Sequence, residues 1–203
     1  MTREMSKRPY SMKRRAELQE RTRRRITESA LELHGTLGPS RTSISAVAAH
    51  AGVRRSTFYR HFADEAALFA ACTDHWLEAN PQPDLTRWAT IEDPDARLLA
   101  GLAELYAYYR HTEGMIANVL RDEQTMPIVA RMLASYREYL ERAADALMAG
   151  RRDRGRARRR ARAAIGHALS FATWRSLARE QSLDDAEAAK LMCKLVAVAH
   201  HPR

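Results

Sequence analysis

Two cysteines in 203 residues, without a Cys-x-x-Cys pair or a Cys/His spacing, leave neither a disulfide framework nor a zinc site to expect. Cys72 and Cys193 each stand in an apolar helical context and read as reduced core residues of a cytoplasmic protein. Eight glycines and seven prolines are too few for a disordered or fibrous chain, and their scarcity beside abundant Ala, Leu, Arg and Glu favours helix over sheet. Apolar runs are short as well. The charge-free stretch 163–174 falls well below the roughly 18 to 20 residues needed to span a bilayer, and the basic opening MTREMSKRPYSMKRRAE has no apolar run behind it to form a secretory signal. Catalytic signatures are missing too: there is no GxSxG elbow, no HExxH and no glycine-rich phosphate loop. The eight histidines are scattered; His75, His111 and His167 could join flanking carboxylates at a metal, but a lone helical histidine is far more often a packing or surface residue. The expectation is therefore a non-enzyme with no catalytic residues, no cofactor, no metal and no membrane partner.

What is present is positive charge, placed unevenly. Up to Phe62, fourteen Lys+Arg stand against five Asp+Glu, which is the entire net charge of +9; from Ala63 onward twenty stand against twenty. A basic module joined to a neutral body suits a polyanion, because Lys and Arg that neutralise phosphates release counterions. A solvated basic tail and an anionic membrane surface are the other readings of charge alone, although Arg23, Arg24 and Arg25 lack the apolar face of an interfacial anchor.

Periodicity is helical almost throughout. Residues 1–17 form a basic arm without an apolar face, expected to be mobile. A helix follows over 18–34, with Ile26, Ala30 and Leu33 at helical spacing, ended by Gly35, Gly38 and Pro39. Thr42 and Ser43 offer N-cap chemistry before Ile44, Val47, Ala48 and Ala51, and Gly52 closes that short helix. The segment RRSTFYRHF, 54–62, makes another, and Asp64 can cap a helix beginning near residue 65. Two short helices about a glycine turn in a basic segment form a helix-turn-helix pattern. In the second, Phe58 and Phe62 are four apart and can anchor one face while Arg55, Ser56, Tyr59 and Arg60 project elsewhere.

At these residues the chain resembles the tetracycline-repressor-like (TetR) family of bacterial transcription regulators. RRRITESALELHGTLG looks like that family's first helix, TSISAVAAHAGV like its second, and RRSTFYRHFADEAALF like its third and the entry to its fourth. The resemblance implies an all-α fold: an N-terminal three-helix DNA-binding domain over 18–63 and a helical-bundle domain over 64–203 for ligand binding and dimerisation. It implies that Thr42, Ser43, Thr57, Tyr59 and His61 hold phosphates, while Arg54, Arg55, Ser56 and Arg60 face bases. Three departures stand out: His34 where the family usually has Phe, Ser56 where it has Gly, and Asp64-Glu65 where it has Ser-Lys. Glu65 would repel DNA where that Lys approaches a phosphate, and Arg14, Arg15, Arg21, Arg23, Arg24 and Arg25 could compensate with phosphate or minor-groove contacts.

Beyond the basic third, the pattern gives helices over 94–110, 115–123 and 128–148, then an arginine-rich segment, 151–162, read first as a solvated loop, then as an anion or acidic-partner site, and last as a second contact with DNA. Two helices that are apolar on more than one side follow it, and a second apolar face must be covered. In the family these last two helices pair with their symmetry mates. Carried over, Ala163, Gly166 and Ser170 are the small residues and Phe171, Trp174, Leu191, Leu195 and Val198 the large ones of a homodimer interface. A dimer doubles the contact set and implies a palindromic double-stranded operator. For a small apolar or aromatic inducer, whose binding would release a repressor, the candidate pocket is Phe69, Cys72, Trp76, Leu102, Tyr106, Tyr109, Met115, Met132 and Tyr136. Asn118, His75, Thr173 and Arg110 are the polar candidates for orienting it. The competing reading is a DNA-binding protein without such a ligand, architectural or answering to a partner protein.

Overall fold

The structure is a computed structural model that describes residues 7–200, and among them there are helices and no strands. In chain order these are α1 (Lys7–Thr36), a 3-10 turn (Pro39–Arg41), α2 (Ile44–His50), α3 (Arg55–His61), α4 (Glu65–Ala79) and α5 (Leu85–Ala89). They are followed by α6 (Pro94–Asp122), α7 (Pro127–Met148), α8 (Gly155–Leu169), α9 (Phe171–Arg175), a π-helical turn (Ser176–Glu180) and α10 (Asp185–His200). None of the described helices is long and apolar enough to cross a membrane.

Two units share these helices. One holds the residues up to 80 together with 114–132; the other holds 81–113 and the residues from 133 onward. In the first, Ile26, Ala30, Val47, Ala48, Phe58, Phe62, Leu68 and Cys72 form one buried apolar cluster. Ile26, Ala30, Val47, Ala48, Phe58 and Phe62 are residues whose helical spacing marked the helix faces, so burial there follows the pattern directly. The side chains of Ser43 and Asp64 accept hydrogen bonds from the backbone N–H groups of Ala46 and Ala67 and start α2 and α4, as N-cap chemistry requires. In the second unit Trp88, Leu98, Leu102, Leu105, Tyr106, Tyr109, Leu147, Ile165 and Trp174 are fully buried. Here Gly101 lets α6 and α5 come together, since a Cβ at that position would stand 3.2 Å from the Trp88 ring.

Four helix boundaries differ from the sequence-based expectation. The arm expected over 1–17 is helical from Lys7, while residues 1–6 lie outside the described ones; strong helix formers such as Met12, Lys13, Arg14 and Ala16 propagate the turn already anchored at Ile26. The helices expected over 94–110 and 115–123 are one helix, α6. Gly114 does not stop it, because side chains beyond that glycine are tied to the end of α1: Asn118 Nδ2 donates to the His34 and Gly35 carbonyls at 3.1 and 2.8 Å, and Arg121 Nη2 to that of Leu37 at 3.1 Å. Finally, the arginine segment is no loop beyond Gly155, since it forms the first turns of α8. Ala161, Ile165 and Ala168 anchor that helix in the core, and Arg162 bonds Glu141 and Asp145 of α7 at 2.6 and 2.7 Å. The helix expected over 163–180 breaks at Ser170, where α8 gives way to α9.

Candidate nucleic-acid interface

The interface is built on a turn whose geometry only glycine adopts without strain. Gly52 sits at φ +63°; its N–H donates to the Ala49 carbonyl and that of Val53 to the Ala48 carbonyl, at 3.0 and 2.9 Å. This paired closure ends α2 and turns the chain into α3. Phe58 and Phe62 are buried beneath α3, which leaves Arg54, Arg55, Ser56, Tyr59 and Arg60 on its exposed side. Arg55 lies along Tyr59, its guanidinium carbon 5.6 Å from the ring centre and Nη2 donating to the phenol oxygen at 3.2 Å. Because that oxygen accepts, the Tyr59 O–H proton is left to donate outward. Ser43, also exposed, accepts from Ala46 and keeps its own hydroxyl proton free in the same way.

The other three residues expected to hold phosphates are placed less openly. Thr57 and His61 are half-buried. The Thr42 hydroxyl is buried and donates to the Gly38 carbonyl at 2.8 Å, so its single proton is spent inside the turn. Burial, then the neighbouring Arg60 and Arg23 cations, lower the pKa of His61, and its Nε2 is buried without a hydrogen-bond partner. Both causes favour the neutral imidazole, which donates through one nitrogen only. Glu65 stands in the first turn of α4, where its charge suits the helix dipole. Among the arm arginines, Arg14, Arg15, Arg21, Arg24 and Arg25 are exposed; Arg23 is turned inward against α3.

This constellation coincides with the model of bacterial regulatory proteins of the tetR family, which matches residues 26–72. Over this segment the chain is similar to the tetR family. Solved structures similar to the chain include a candidate fatty acid metabolism regulator from Clostridium perfringens, at 16% identity and a TM-score of 0.64 over 88% of this chain and 100% of that one. A TetR-like transcriptional regulator from Rhodococcus sp. RHA1 is similar at 18% identity and 0.61, over 87% and 93%. The multidrug binding protein EbrR, solved with imidazole, is similar at 20% identity and 0.51, over 85% and 88%. At these identities the likeness is one of fold: the TetR arrangement of a helix-turn-helix followed by a helical body. No curated protein matches the chain.

Within the TetR fold, the nine residues expected to line one pocket divide between the two units. Phe69 stacks on His34 of α1 with ring centres 5.0 Å apart, and Cys72 faces the Thr27 carbonyl of the same helix, its thiol pushed up to about 12 by burial. Trp76, Met115 and Met132 belong to that unit as well. Leu102, Tyr106, Tyr109 and Tyr136 belong to the other, where the Tyr109 and Tyr136 hydroxyls are 2.9 Å apart. The polar candidates are likewise dispersed. Asn118 holds α1, His75 approaches Glu28, Thr173 contacts His167, and Arg110 forms a bidentate pair with Asp185 beside a surface recess of about 530 Å³. Of the expected interface residues, Ala163, Gly166, Leu191, Leu195 and Val198 are exposed and Ser170 half-buried, whereas Phe171 and Trp174 are buried in this chain's own core.

Proposed function

We propose that the chain is a homodimeric transcriptional repressor that binds a palindromic operator through α2 and α3 and leaves it when a small apolar or aromatic ligand occupies the helical body. The observation that carries this reading is the division of labour in α3, with Phe58 and Phe62 buried and Arg54, Arg55, Ser56, Tyr59 and Arg60 exposed in a row. Phosphate-holding hydroxyls at Ser43, Thr57 and Tyr59 would fix the register, and the arginines would supply forks for the major-groove edge of guanine. Dimerisation is supported by α8 and α10, which leave Ala163 and Gly166 exposed on one and Leu191, Leu195 and Val198 on the other.

Ligand response is supported by α6, a single helix that contributes Leu102, Tyr106 and Tyr109 to one unit and Asn118, Arg121 and Asp122 to the other. Asp122 accepts from the Ser40 N–H at 2.8 Å, and Arg121 and Asn118 hold the end of α1, so a shift of α6 would be felt at the helix that backs α3. A ligand acts by binding one setting of α6 more tightly than the other. The similar multidrug binding protein EbrR, solved with imidazole, a small aromatic molecule, supports this reading.

Selection of binding sites from a random DNA pool at near-physiological salt tests the reading, because low salt inflates sequence-independent affinity. A palindromic consensus is the expected result. Recovery of no consensus would defeat it and favour backbone binding alone.

A further inference from the structure

We infer that Arg23 is a positioning residue for the recognition helix: from α1 it clamps the C-terminal end of α3 and fixes how that helix is presented, without touching DNA itself. The inference rests on the reading that α3 enters the groove. Arg23 Nη1 donates to the His61 carbonyl at 2.6 Å, and its guanidinium carbon stands 4.2 Å from the centre of the Phe62 ring. One side chain therefore holds two consecutive residues, the last of α3 and its C-cap.

The physical need is plain. α3 has seven residues, too few to be stable alone, and its final carbonyls have no partner within the helix. A cation placed there satisfies one of them and complements the negative end of the dipole. The planar fork adds a cation–π contact to a buried ring, which an ammonium on a flexible stem would make less well. Arg23 differs in this from its neighbours: Arg24 is exposed and pairs with Glu28 on its own helix at 2.9 Å, and Arg25 is exposed. Register explains the difference, since residue 23 lies three before Ile26 and seven before Ala30, on the face that α1 buries.

The test uses the full chain and its selected operator, with wild type, Arg23→Gln and Arg23→Lys titrated across a range of salt. A residue on a phosphate would, when lost, flatten the slope of log affinity against log salt by about 0.9 per contact. Arg23→Gln is expected to keep the wild-type slope while the ratio of operator to unrelated DNA falls about tenfold, and Arg23→Lys to recover part of that ratio. A slope reduced by about one per subunit, or an unchanged ratio in a folded Arg23→Gln, overturns the inference. A second readout needs no DNA. In the free protein, followed by NMR, the His61 midpoint should rise in Arg23→Gln, where a neighbouring cation is lost, and hold in Arg23→Lys. An unmoved midpoint in Arg23→Gln overturns the clamp, whereas a wild type that selects no sequence defeats the functional reading instead. Should Arg23→Gln fail to fold, Arg23→Lys decides by slope and ratio: a flattened slope, or a ratio equal to wild type, overturns the inference.

Discussion

His34 shows how one substitution can write a pH dependence into a core. Its ring is 4% exposed and lies almost parallel to Phe69, at 12° and 5.0 Å, at the position where the resemblance to the TetR family leads one to expect phenylalanine. Burial pulls its pKa down to about 4 against the opposing pull of Asp122. Unfolded, the same imidazole titrates near 6.5, so between about pH 6.5 and 4 the unfolded chain binds more protons and stability falls as pH falls. Between pH 7 and pH 5 the loss is about 2 kcal/mol. His34→Phe keeps the stack and removes the titration. Urea unfolding at the two pH values should therefore show a much smaller difference in the variant, with the residue of the effect left to His61, whose pKa is lowered in the same sense. A variant as pH-sensitive as wild type would place the dependence elsewhere.

At the scale of the element, helix ends carry many of the long-range side-chain hydrogen bonds. Arg23 serves the end of α3, and Asn118 and Arg121 the end of α1. Arg97, 5% exposed, donates to the Ala146 and Ala149 carbonyls at the end of α7. Tyr106 and Tyr109 donate to the Ala168 and Leu169 carbonyls at the end of α8. The start of α8 has no side-chain cap. α8 opens with Gly155 at φ +55°, has no acidic residue in its first turn and carries Arg156, Arg158, Arg159 and Arg160 at the positive end of its dipole. Arg156→Glu should stabilise the protein by about 0.5 to 1 kcal/mol, through the dipole and the new pairing with Arg160 four residues on. Thermal unfolding at low salt measures it, and a loss of stability would mean that Arg156 has a partner worth more than the dipole.

These same ends mark where sequence stops being legible. The glycine turn, α2, α3 and the buried face of α1 were readable because their causes are local: apolar spacing, N-cap hydroxyls, a residue free to take positive φ. The continuity of α6 through Thr112, Glu113 and Gly114 was not, since its support comes from α1. Nor was the start of α8, where arginines hide an apolar stripe that begins at Ala161. At the candidate interface, the exposed face of α3 was legible from Phe58 and Phe62. Arg23 was not singled out from Arg24 and Arg25, although its register with Ile26 and Ala30 carried the signal.

For the whole molecule, the telling feature is what α8 and α10 leave uncovered. Leu195 is 51% and Val198 71% exposed, one stripe with Leu191 at i, i+4 and i+7. Nothing lies within 4 Å of where a Cβ on Gly166 would be. A glycine in a helix interior costs about 0.5 to 1 kcal/mol relative to alanine, and within one chain that cost has no return. It is offset if another backbone packs against α8, which a second copy offering its own α8 and α10 would do. Phe171 and Trp174, at 5% and 0% exposure, are occupied inside the chain, so the proposed seam consists of Ala163, Gly166, Ser170, Leu191, Leu195 and Val198. Leu195→Glu places a charge in that seam twice over, once from each copy. It should convert a dimer of wild-type chains to monomers with unchanged helicity, measured by sedimentation, because the substituted side chain is already half in water in the single chain. Operator affinity should fall at least about 100-fold as the second half-site loses its effective concentration. A Leu195→Glu protein that sediments as a dimer, or a wild type that sediments as a monomer at the concentrations used for DNA binding, would place the operator's two-fold symmetry on some surface other than this one.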